Sequence, residues 1–271
     1  MPINNLFVLP GGGGNAGQAA DCRSLLGFRS VLPTSSITGD NSDPLYPISN
    51  MLDYRDNTQY SPNETFGTIT ITFEQSSEAE IDYIGLGIHN GLTAGMTLRL
   101  EVQLGNNWQQ VATISPSKDN KTECEYFNPV SCLRQRVIIT YSNKLFIGAL
   151  QIGKAWVFKR TPNIGFRPAN WGSVDRVKGF RANTGQFIIG RRKEVGYSQS
   201  GEFSFIETDD MNANYIEYMN HVKDSKPFFM KWLVSKNESV YGQHPNPNGL
   251  RAPEYTNSFY STFNFDIVGY N

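Results

Sequence analysis

The chain has 271 residues, with 24 Lys and Arg against 25 Asp and Glu and a net charge of -1. A balance this even excludes a partner held by bulk electrostatics, so neither nucleic acid nor insertion at an anionic membrane is expected. Charged residues make up only 18% while aromatics reach 13%, a composition suited to β-structure with broad polar-aromatic surfaces.

The length permits one large β domain or two smaller ones, with a core that needs no metal or disulfide. Cys22, Cys124 and Cys132 are odd in number and lack metal-type spacing, so they read as reduced thiols in or near a core. No apolar stretch is long enough to span a bilayer. The first ten residues have no basic start and too short an apolar run for a signal peptide, which predicts synthesis in a cytoplasm.

Residues 1–45 read as an arm. Leu6 and Phe7 lie in a short apolar run before Pro10 and the four glycines Gly11 to Gly14, and both are candidate interface residues. The glycines suit a flexible connection. A phosphate loop is excluded because no Gly-Lys-Ser/Thr follows. Leu25, Leu26, Phe28, Val31 and Leu32 then form an apolar segment that needs a partner surface.

Residues 46–160 carry the clearest strand signals. After a loop rich in Asn, Asp and Pro, Ile69, Ile71 and Phe73 alternate with Thr68, Thr70 and Thr72, which predicts a half-buried strand. Ile81 to Ile88 is nearly continuous aliphatic and predicts a strand covered on both faces. Met96 to Leu104 alternates, Gly105-Asn106-Asn107 is a hairpin signal, and Trp108 to Ile114 returns as the partner. Arg136 to Tyr141 and Phe146 to Phe158 complete a set spaced for a sandwich or barrel.

Residues 161–271 read as a smaller β-rich domain with one helix over about 210–223. Met211, Tyr215, Tyr218 and Val222 fall on one stripe, with Asp209 or Asp210 as its cap and Lys223 in the last turn. Phe187 to Gly190, Gly201 to Ile206 and Lys226 to Val234 read as strands. In the final strand Phe259, Ser261, Phe263, Phe265 and Ile267 share one face.

Two resemblances follow from these motifs. Asn50, Leu52, Asp53, Thr58 and Tyr60, with Ile81-Asp-Tyr-Ile-Gly85 and the closing Phe146 to Ala155 segment, resemble the galactose-binding-like (discoidin-type) jelly rolls. Tyr54 stands where that pattern has glycine, and Tyr60 where it has tryptophan. The resemblance implies a loop that can hold a structural calcium ion, with Asp53 and Asp56 as candidate ligands. An Asx-turn built from the same side chains needs no cation and is the competing reading. The helix followed by Lys226-Pro-Phe-Phe-Met-Lys-Trp232 and a short closing strand resembles phage tail-tip and baseplate proteins.

No catalytic signature is present. His89, His221 and His244 are isolated in sequence, and each acidic pair (Asp53 and Asp56, Glu123 and Glu125, Asp209 and Asp210) has a structural explanation. Trp171, Arg191 and Arg192 are further candidate interface residues, an aromatic anchor and a basic patch. The expected fold is a mainly β chain, a jelly-roll β-sandwich followed by the smaller β-rich domain, with no enzyme activity and no cofactor. The expected function is structural: a component of a phage virion tail that assembles with other tail proteins and copies of itself. The alternative is a carbohydrate-binding module that attaches to a host cell-surface glycan, with Tyr54 and Tyr60 as sugar-contacting aromatics.

Overall fold

The computed structural model describes residues 21–39, 41–163, 165–168, 173–177, 180–181, 187–188 and 192–270. In chain order the strands are β1 (Ser24–Ser30), β2 (Ser36–Thr38), β3 (Gly67–His89), β4 (Thr97–Leu104), β5 (Asn107–Ile114), β6 (Glu123–Tyr141), β7 (Ile147–Phe158), β8 (Ser173–Val177), β9 (Phe180–Arg181), β10 (Phe187–Ile188) and β11 (Arg192–Glu207). Helix α1 (Thr208–Lys223) follows, then β12 (Phe228–Lys231), β13 (Ser239–Gln243), β14 (Glu254–Tyr255) and β15 (Tyr260–Tyr270). The chain is mainly β and antiparallel throughout, as a jelly-roll sandwich requires.

The two strands expected at 68–73 and 81–88 are one strand, β3. It stays paired with β6 through register shifts between Glu74 and Ala79 and between Ile81 and Tyr83. In its first part Ile69, Ile71 and Phe73 are buried while Thr68 and Thr70 are exposed; in its second part every residue from Ile81 to His89 is buried. Ile71, Phe73, Ile84, Leu86, Leu98, Leu100, Val137 and Ile139 meet in the larger core. A second core, around α1, gathers Trp156, Phe158, Phe203, Tyr218, Phe263 and Phe265. Each such ring removed from water contributes on the order of 2–3 kcal/mol.

The cores share one sheet. Strand order is β5-β4-β6-β3-β7-β1-β12-β13-β15-β11-β8, so β1 joins the first half, through β7, to the second, through β12. Residues 24–30, expected within an arm, therefore form a central strand with Leu25 and Leu26 fully buried. On β3 the aliphatic residues Ile84 and Leu86 face the larger core, and Gly85 and Gly87 face the other side. A Cβ at Gly85 would lie 2.6 Å from the Phe229 ring, and one at Gly87 3.0 Å from Tyr241. The bare backbone at these positions lets aromatics of the second half seat directly on the strand.

Two local expectations are corrected. Neither Asp209 nor Asp210 caps α1: the N-cap position is Glu207 with no side-chain cap, and both aspartates lie in the first turn. The Asp210 carboxylate instead accepts from Trp156 Nε1–H (3.2 Å) and Asn214 Nδ2–H (2.8 Å). Phe259 does not share the buried face of Phe263, Phe265 and Ile267. It precedes β15 in a turn held by Asn257 Oδ1, which accepts from the amides of Phe259 and Tyr260, and its ring is exposed. No helix among the described residues is long and apolar enough to cross a membrane.

Candidate functional site: a cleft at the seam

The loop before β3 is built by its own polar side chains. Asn50 Nδ2–H donates to Gln59 O (2.9 Å), and the Arg55 amide donates to Asp53 Oδ1 (2.9 Å), the signature of an Asx-turn. The Thr58 hydroxyl sits against both Asp53 oxygens, at 3.0 and 3.1 Å. Asp53 is thus engaged as a turn former, Asp56 is exposed, and no group of three or more His, Cys, Asp or Glu gathers among the described residues. The Asx-turn accounts for Asp53 without a cation.

Tyr54 holds φ +62, the left-handed region that the resembling pattern fills with glycine. Its ring stands edge-on to His221, centroids 5.8 Å apart. Burial pushes the Tyr54 phenol above its ordinary pKa. Burial likewise lowers the His221 pKa, so the neutral ring donates Nε2–H to Pro227 O (3.0 Å). Beneath the loop, Tyr83 OH donates to Gln151 Oε1 (3.2 Å) and Gln151 Nε2–H to Pro227 O (3.4 Å). This buried network ties β3 and β7 to the turn leading into β12.

The loop and the second half enclose a cleft of about 400 Å³. Tyr54, Arg55, Asp56 and Asn57 form one wall; Pro227, Tyr241, Gly242, Gln243, Val268 and Gly269 form the other. Gly242 and Gly269 pair across β13 and β15, and a Cβ on Gly269 would lie 2.1 Å from Tyr241 O, so this part of the wall is bare backbone. Arg55, Asp56, Asn57 and Gln243 are the exposed side chains at the mouth. They combine guanidinium donors, carboxylate acceptors and two amides that do both. The opposite charges of Arg55 and Asp56 balance, which suits an uncharged ligand rich in hydroxyl groups.

The other expected site residues fall elsewhere. Tyr60 is fully buried in the larger core and offers no sugar-stacking face; Tyr54 lines the cleft but spends one ring edge on His221. Leu6, Phe7, Trp171 and Arg191 lie outside the described residues. Arg192 opens β11 and pairs with Val177. Cys124 and Cys132 are buried, their thiols pushed up to about 12 and about 11 by desolvation, while Cys22 is exposed. Each histidine is engaged structurally: His89 Nε2 with Lys121 O (2.7 Å), His244 Nδ1 with the Asn246 amide (3.1 Å). The wall from β13 and β15 was not identified from sequence, since it lies some 190 residues or more beyond the loop it faces. Gly242 and Gly269, isolated within strand patterns, were its sole local signals.

No family model matches this chain, and no curated protein matches it. Solved structures resemble part of it. The structure of SpGH29 is 13% identical over 46% of this chain and 28% of that one, with a TM-score of 0.40. A Clostridium perfringens module in complex with GalNAc-β-1,3-galactose is 14% identical over 46% of this chain and 99% of that one, TM-score 0.40. A family 32 carbohydrate-binding module from C. perfringens in complex with galactose is 11% identical over 48% and 98%, TM-score 0.40. The chain thus spans little more than a quarter of the first and nearly the whole of each module.

Proposed function

We propose that this chain is a non-enzymatic binding protein that holds a neutral saccharide in the seam cleft. The observation that carries this is the convergence of Arg55, Asp56 and Asn57, from one loop, with Gln243, at the end of β13 far along the chain, on one polar cleft that Tyr54 and Tyr241 also line. The mouth carries both donors and acceptors, which ring hydroxyls can use, and the cleft is of the size that ligand sites commonly have. Attachment to a surface glycan is the role such a site fits. Assembly into a phage tail rests on no observation among the described residues.

A glycan array probed with the full chain, followed by titration calorimetry on the best hit, tests the proposal. Arg55→Ala, Asn57→Ala and Gln243→Ala should each weaken binding about five- to tenfold, the loss of one hydrogen-bonding group at about 1 kcal/mol. Absence of any glycan binding, or binding indifferent to all three substitutions, would overturn it.

A further inference from the structure

A second cleft lies at the other end of β15, about eight residues and roughly 26 Å along the strand from the seam. Its centre is Phe205. In the run Gly201-Glu-Phe-Ser-Phe-Ile206 a period of two would put Phe203 and Phe205 on one buried face. The structure inserts a β-bulge instead: Phe203 pairs with Phe263 and Ile206 with Ser261, so Ser204 and Phe205 together oppose Thr262. Phe203 and Ile206 are buried, whereas Phe205 turns outward, 51% exposed, at φ +57. An aromatic residue held in strained backbone so that its ring meets water points to a use for that ring.

The surroundings specify the use. The Arg160 guanidinium lies 5.3 Å from the Phe205 centroid, and the Tyr260 ring meets it edge-on at 6.1 Å. The cleft holds about 120 Å³, and its floor is the stacked pair Phe158 and Phe203, 4.0 Å apart. At its rim Lys159 and Glu207 form an ion pair at 2.5 Å, beside half-buried Asp210. A protein partner needs about 800 Å² per side with a core depleted of charge. Here four charged side chains surround two exposed rings over a space that fits one small ring. A pyranose matches it, with an apolar C–H face for the aromatic ring and hydroxyl edges for guanidinium and carboxylate.

We propose that this cleft is a second saccharide site, separate from the seam, which takes one pyranose ring stacked on Phe205 with its hydroxyls on Arg160 and Glu207. The test uses the full chain with galactose, glucose, mannose and N-acetylglucosamine, read by saturation-transfer NMR and calorimetry. With the seam disabled by Asn57→Ala and Gln243→Ala together, at least one sugar should still bind. Adding Phe205→Gly or Phe205→Asn should weaken that binding at least tenfold while Tm stays level or rises, because both residues accept φ +57 more readily than phenylalanine. If the seam-disabled protein binds no sugar, or if both Phe205 variants bind unchanged, the proposal fails. It fails also if Tm falls in step with affinity, which would make Phe205 structural. Binding lost in the Phe205 variants alone, and intact in the seam variants, would sink the seam reading and leave this one standing.

Discussion

Tyr54 shows how a single side chain is asked to do two things. Its left-handed backbone costs of order 1–3 kcal/mol, and ring packing on His221 offsets part of that cost. Asp82 is a second such residue. It is buried, accepts the Ala155 amide (2.7 Å), and is pushed up to about 6 by desolvation. Because the folded pKa exceeds the unfolded value near 4, the folded protein binds this proton more tightly. The group's relative contribution is therefore best below about pH 4 and is lost as pH rises through 6. Asp82→Asn keeps the acceptor and removes the charge, so it should stabilise by up to about 3 kcal/mol at pH 7 and by little at pH 4. Buried His89 and His221 act with the opposite sign. Their lowered pKa values mean that stability present above pH 6.5 is lost as pH falls below it. Stability of Asp82→Asn should hence drop more steeply on acidification than that of the parent, as urea unfolding between pH 4 and 7 would reveal. An equal effect of the substitution at both ends of that range would refute the assignment.

Among the elements, β3 carries the most information per residue. Its alternation in the first part and its continuous burial in the second are both readable from the chain, since they depend on side-chain polarity alone. The identity of what covers the glycine face was not readable, because Phe229 and Tyr241 arrive from strands more than 140 residues later. Gly85→Val tests that face: its branched side chain would enter the Phe229 ring, and overpacking of this kind costs roughly 1–3 kcal/mol. Phe229→Ala should recover part of the loss in the double variant, giving a non-zero coupling energy in a cycle measured by denaturant. Additive losses would show that the two positions do not meet. The bulge in β11 was equally hidden. A period-two reading buries Phe205 with Phe203, and only the pairing of Ile206 with Ser261 turns it out.

At the scale of the whole molecule, three cores hang on one sheet, the third of them (Leu25, Tyr83, Phe229 and Tyr241) where the two halves meet, and the connection is redundant. Strand β1 pairs on both sides, Lys231 Nζ donates to Cys124 O (2.6 Å), and Ser239 Oγ donates to Thr122 O (2.8 Å), so β12 and β13 are tied to the start of β6 as well. Opening the halves would also expose the apolar seam around Leu25, Tyr83, Phe229 and Tyr241 to water, so neither half opens cheaply by itself. Thermal unfolding followed by far-UV circular dichroism and by tryptophan fluorescence should therefore give one coincident transition. Two separated transitions would mean that the halves are independent. The sequence by itself determined the β class, the principal strands, the single helix and the self-capped loop at Asn50 to Tyr60, because these follow from local periodicity and turn chemistry. Tertiary structure alone decided that residues 24–30 are central, that Tyr60 is core, that Phe205 is exposed, and that Tyr54 to Asn57 faces β13 and β15. Those outcomes depend on strand order and register between distant segments, which no local pattern encodes.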